Sequence, residues 1–185
     1  MSARTALALA LAGAALTAAS LWACSDPLQS ARVAALGDEK SGVAPGPLHR
    51  AGQPCLTCHG GSGPADVELA VAGTIYQSAA AGSPPLVGGT VTIFDATQLA
   101  DGGTPRSATT NAAGNFFFRK DEWSPVYPLH DIAVSAPGGD VTATMHTVVG
   151  RDGSCGSCHF APRGPDSHGP VYLVLEPGDL PGAQP

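Results

Sequence analysis

The chain has 185 residues, of which 13% are charged, with a formal charge of −6; that is room for one ordinary domain with extensions and excludes two large ones. Twenty-four glycines and 17 prolines argue against a helical bundle and for a compact β-rich body with turn-rich flanks. No basic patch marks a nucleic-acid surface, which excludes that class of partner, and the acidic balance favours solubility.

In chain order, residues 1–23 read as a signal peptide: Arg4 is its lone positive charge, followed by an Ala/Leu-rich stretch from Ala6 to Ala23. Its alanine content leaves it only mildly apolar, and Cys24-Ser25-Asp26-Pro27 closes it, so it reads as a leader rather than a membrane span. Leu21-Trp22-Ala23-Cys24 resembles the lipobox of bacterial lipoproteins, in which the cysteine receives diacylglycerol and becomes the new N-terminus. Trp22 stands where that pattern usually has a small residue. The resemblance implies a lipid on Cys24, and with it a chain exported to the periplasmic side of a bacterial membrane or to the outer membrane. Without lipid, Cys24 leaves with the leader or stays as a reactive thiol. Residues 24–48 carry no sustained period and read as a lipidated flexible tether with a short helix through Leu28 to Leu36.

Residues 49–66 hold Cys55-Leu-Thr-Cys58-His59, followed by Gly60-Gly-Ser-Gly-Pro64, an exit that cannot continue a helix. From 67 to 149 the texture changes to short Val/Thr/Ile/Phe runs between Gly, Pro, Asp and Asn turns, an all-β signature. Strands are expected near Leu69 to Tyr76, Gly89 to Asp95, Ser107 to Thr110, Asn115 to Arg119, Leu129 to Ala136 and Val141 to Val148. Asn111 to Asn115 and Pro137 to Asp140 read as hairpin turns. Residues 150–170 hold the second motif, Cys155-Gly-Ser-Cys158-His159, in another Gly/Pro-rich segment. A seventh strand from Val171 to Leu175 opens the tail, 171–185. Seven strands of this kind make a β-sandwich. If the six strands between the motifs run up and down, an even number of traversals brings both motifs to one pole.

Cys-x-x-Cys-His is the arrangement a c-type haem needs: two thiols spaced for the two vinyl groups on one porphyrin edge, and a histidine directly after them beneath the iron. Two such motifs predict two c-type haems, held by Cys55, Cys58 and His59 and by Cys155, Cys158 and His159, with His59 and His159 as proximal iron ligands. Covalent attachment suits short segments that cannot build a deep pocket. Of the five cysteines, Cys24 takes lipid and the rest form the two pairs, leaving no free thiol. Zinc held by the four thiolates, or disulfides, are the competing readings. Zinc explains paired cysteines but not a histidine after both pairs.

For the distal side of each iron, His49 is expected at the first motif and His146 at the second, with Met145 as the alternative. Met145 and His146 are strand neighbours and point to opposite faces, so only one can face a given haem. His130 and His168 remain as alternatives for the distal side, although each reads more simply as a surface-loop residue. Arg50, Arg151 and Arg163 flank the motifs as partners for propionates or as solvated surface charges. Trp123 and Phe116 to Phe118 read as packing aromatics.

Gly73-Thr-Ile-Tyr76, Leu86-Val-Gly-Gly-Thr-Val-Thr-Ile-Phe-Asp95 and Thr109-Thr-Asn-Ala-Ala-Gly-Asn-Phe-Phe117 resemble the carboxypeptidase regulatory-like domains of the transthyretin-like sandwich group, across roughly a quarter of the chain. That resemblance implies a spacer or binding module without catalysis. The two Cys-x-x-Cys-His motifs resemble those of multihaem c-type cytochromes. Together they lead us to expect a dihaem lipoprotein, anchored to a membrane, that exchanges electrons with redox partner proteins and is a carrier rather than a catalyst. The alternatives are a haem enzyme of peroxidase or reductase type with one open iron position, and a surface binding module without haem.

Overall fold

The computed structural model describes residues 26–80, 82–100 and 102–173. The expected signal peptide, Cys24 and the chain beyond Leu173, including the end of the seventh expected strand, lie outside the described residues. The chain divides into two compact units, the second beginning at Asp38. In the first, the expected short helix forms as α1 (Pro27–Ala35), started by Asp26, whose carboxylate accepts from the backbone of Leu28 and Gln29. None of its residues is buried. No helix among the described residues is long and apolar enough to cross a membrane.

The second unit is mostly strand. β1 (Leu69–Tyr76), β2 (Thr90–Phe94), β3 (Arg106–Thr109), β4 (Asn115–Arg119), β5 (His130–Ser135), β6 (Thr142–Thr144) and β7 (Val171–Tyr172) are joined by two short helices, α2 (Leu56–His59) and α3 (Ala96–Ala100), and by a 3-10 turn at Cys155–Ser157. One sheet has the order β4-β1-β7 and the other β3-β2-β5-β6. All pairings are antiparallel except β1 with β7. Val71, Ile75, Phe116 and Phe118 from the first sheet join Val91, Ile93, Ile132 and Val134 from the second in one buried cluster. Each such side chain contributes about 1.5–3 kcal/mol by leaving water. Phe118 packs edge-on to Trp123 with ring centres 5.0 Å apart, so these aromatics do serve packing.

Three expectations change. Asn111 to Asn115 is a tight turn, with Asn111 N donating to Asn115 O at 2.9 Å; yet it is not a hairpin, because β3 pairs with β2 and β4 with β1. The chain crosses between sheets there. The strand expected from Val141 to Val148 pairs with β5 only over Thr142–Thr144, after which Met145 N donates to Ile132 O at 2.8 Å and the chain leaves the ladder. Helix α3 was not foreseen, although Asp95 and Gln98 form a reciprocal cap: Asp95 Oδ1 accepts from Gln98 N at 3.1 Å and Gln98 Oε1 from Asp95 N at 3.0 Å.

β2 alternates buried and half-buried residues, whereas β1 is buried at every position but its last. A strand reads that way when both of its faces are covered. On one face lies the core. What covers the rest of β1 is the pair of cysteine motifs.

Candidate functional site

The segment before the first motif is laid on β1 and β4 by a polar relay. Gly52 N donates to Thr74 Oγ1 at 2.8 Å, Thr74 Oγ1 donates to Asn115 Oδ1 at 2.7 Å, and Asn115 Nδ2 donates to the carbonyls of His49 at 3.1 Å and Pro47 at 3.2 Å. Thr74 and Asn115 are both 7% exposed, so the relay is shielded from competing water. Gly52 has φ +82°, and a Cβ there would lie 2.6 Å from Tyr76 Oη; the close approach requires glycine.

The second motif docks on the same stretch of β1. Ala72 N donates to Gly153 O at 2.9 Å, and Ala72 forms a parallel bridge with Ser154. A Cβ on Gly73 would sit 2.8 Å from Cys155 Cβ and 2.9 Å from a Phe116 ring carbon. The two motifs also touch each other: a Cβ on Gly156 would fall 2.7 Å from Gln53 O and 3.0 Å from Pro54 N. The motifs therefore meet along β1, where the expectation had set them at one pole of the sandwich.

Their local structures repeat. In both, the histidine N–H donates to the first cysteine's carbonyl, at 3.0 Å for His59 and 2.9 Å for His159, which folds Cys-x-x-Cys-His into one helical turn. In both, the histidine Nδ1 lies against a backbone carbonyl further on, Val67 O at 2.8 Å for His59 and Gly169 O at 3.0 Å for His159. A carbonyl can only accept, so Nδ1 carries the proton and Nε2 is the free lone pair. Metal-binding histidines are oriented in this way.

Each motif histidine also faces a second imidazole. The rings of His49 and His59 have centres 5.7 Å apart, and so do those of His159 and His168. His49 Nδ1 is held in turn by Gly46 O. His49, the residue expected opposite His59, is the ring that lies beside it. The partner of His159 is His168, not His146, which is exposed beyond the end of β6. The reason lies in loop 160–170. Ser167 Oγ accepts from Phe160 N at 2.9 Å and from Gly169 N at 3.0 Å, folding the loop back so that His168 N donates to Cys158 O at 2.9 Å. The sequence signal for His168 is its offset, nine residues after His159, against ten between His49 and His59. Met145 is half-buried, His130 begins β5, and Arg50 reaches Glu39 at 3.9 Å.

The four motif cysteines carry free thiols. Burial pushes the Cys55 thiol up to about 11, and burial, followed by the charges of Cys55 and Asp152, pushes Cys155 up to about 12. Both stay protonated at neutral pH, so neither is an activated nucleophile. No cluster of three or more His, Cys, Asp or Glu side chains among the described residues is arranged around a common point; the histidines meet in pairs.

Beside the second motif opens a cavity of about 500 Å³. Its sheet side is apolar, with Val71, Ile75, Phe116, Ile132 and Val134, and its other wall carries Cys155, Cys158, His159 and His168. Ser154 also lines it, with an Oγ that has no partner among the described residues. The sequence reading foresaw no shaped pocket here, because it counted too few residues around the short motif segments to build one.

These residues fit the group their motifs imply. Metal–imidazole bonds of about 2 Å on each side of one iron set the ring centres roughly 6 Å apart, close to the spacing of both pairs. Comparison of the chain with family models, with curated proteins and with solved structures finds no match.

Proposed function

We propose that this chain is a dihaem c-type cytochrome that carries electrons, with the first haem on Cys55 and Cys58 and the second on Cys155 and Cys158. The observation that carries the reading is the repetition: two Cys-x-x-Cys-His turns, each with its histidine fixed through Nδ1 and facing a second imidazole 5.7 Å away. When bound, haem supplies a one-electron carrier. His49 with His59, and His159 with His168, are the residues that would hold the two irons. Two imidazole ligands set a lower potential than a methionine would. Contact of Gly156 with Gln53 and Pro54 keeps the attachment points adjacent and favours exchange within one chain.

In this reading the two sheets form a transthyretin-like sandwich that acts as the scaffold. Cys24 anchors the chain to a bacterial membrane after export, and redox proteins are its partners. A pyridine haemochrome spectrum and the mass of the mature protein test the reading. Two covalently bound haems per chain are expected, and a mass without haem would sink it. A haem enzyme is the second reading, favoured by the cavity beside His159 and Met145. It requires one iron to bind carbon monoxide or respond to peroxide without any substitution.

A further inference from the structure

We propose that the cavity between the two sheets seats the haem bonded to Cys155 and Cys158, and that the two haems are for that reason inequivalent, the second largely apolar in its surroundings and the first set on polar groups. The inference rests on the dihaem reading and adds to it which parts of the fold each group meets.

The cavity reaches the core residues of both sheets, and both thiols and both imidazoles of the second site stand in its wall. Its open side is largely apolar, with Val148 57% exposed and Tyr172 37% exposed, and the Asp152 carboxylate also stands in its lining. Exposed valine and tyrosine side chains beside an apolar hollow are surface that a flat, largely apolar group covers. The first site stands on polar groups instead. Its ring pair rests on the segment that Thr74 and Asn115 hold, and its exposed apolar neighbours are Leu48 and Val67, at 44% and 36%.

An oxidised iron carries one more positive charge than a reduced one, and an apolar surrounding disfavours charge. The second haem therefore has the more positive potential. A carboxylate added at the cavity rim stabilises the oxidised form and lowers that potential alone.

The test is a spectroscopic redox titration of the mature, haem-loaded chain. The Cys55→Ala/Cys58→Ala variant, which keeps only the second attachment site, assigns the waves. We expect the second haem to titrate at the higher potential. Val148→Glu should lower it and leave the first haem unmoved, with Val148→Gln giving a smaller change. Leu48→Glu should do the reverse. Tyr172→Glu supplies a second rim position should Val148→Glu not fold. A second haem at or below the potential of the first, or one that no rim carboxylate moves, would overturn the proposal while leaving the dihaem reading intact. An unsubstituted chain without covalent haem would instead defeat the dihaem reading itself.

Discussion

A side chain's meaning here depends on what its second polar atom does. His59 and His159 would be ordinary half-buried histidines but for the carbonyls of Val67 and Gly169 that take up Nδ1. Under the dihaem reading, His168→Ala should turn one of the two haems from six-coordinate low-spin to a form that binds carbon monoxide. His49→Ala should do the same to the other, and His146→Ala should change neither spectrum. Electronic and electron-paramagnetic spectra of the three variants check this, and a His146→Ala effect on the second haem would remove His168 from its role. The sequence made His49 legible because it precedes its motif closely and little else there has chemistry. It left His168 an alternative behind His146, since the position of His168 is created by Ser167 folding loop 160–170 back on itself. Met145 and His146 drew attention as neighbours in a strand that, past Thr144, does not exist.

At the scale of elements, period and turn chemistry were enough to find β1, β2, β4 and β5 nearly to the residue, because each buries an alternating or continuous apolar face. They failed where one polar side chain decides. Asp95 builds α3: its Oδ1 accepts from Thr97 N, Thr97 Oγ1 and Gln98 N, at 3.0, 2.6 and 3.1 Å, and its Oδ2 from Trp123 Nε1 and Val126 N, at 3.4 and 3.3 Å. Burial alone would raise its pKa, but the hydrogen bonds from Thr97, Gln98 and Val126 together outweigh it and hold it below the ordinary 3.8. A carboxylate lowered in the folded state stabilises the protein above its unfolded pKa, and that contribution is lost as pH falls through the folded one. Asp95→Ala should cost about 2–3 kcal/mol in urea unfolding at pH 7. The deficit should shrink as the pH is taken down through the acid range. A constant deficit down to acid pH would mean that the charge contributes nothing. Gly156→Ala should cost about 1–3 kcal/mol for a different reason, since its methyl group must force Gln53 and Pro54 away from the second motif.

Across the whole molecule, the two motifs close over β1 as one structure, and their cysteines titrate as neighbours. With its thiols free, the folded chain holds protons on Cys55 and Cys155 up to about 11 and about 12, against an ordinary 9.0, chiefly through burial. An acid whose folded pKa is raised binds more protons folded than unfolded, so stability must fall as pH climbs past the unfolded value. Tyr76 and Tyr127 are also raised from an ordinary 10.0 by burial, which leaves pH 9 to 10 as a window in which the two thiols dominate. Each contributes a slope of up to about 1.4 kcal/mol per pH unit there. Urea unfolding of the haem-free chain at pH 7, 9 and 10 should therefore show a steep alkaline loss, and Cys55→Ser/Cys155→Ser should flatten it. Under the dihaem reading, attachment converts both thiols to thioethers that cannot ionise, so the haem-loaded protein should lack the alkaline loss as well. If the haem-free chain is as stable at pH 10 as at pH 7, then the thiols are not buried against β1, and the close junction of the two motifs is not maintained in solution.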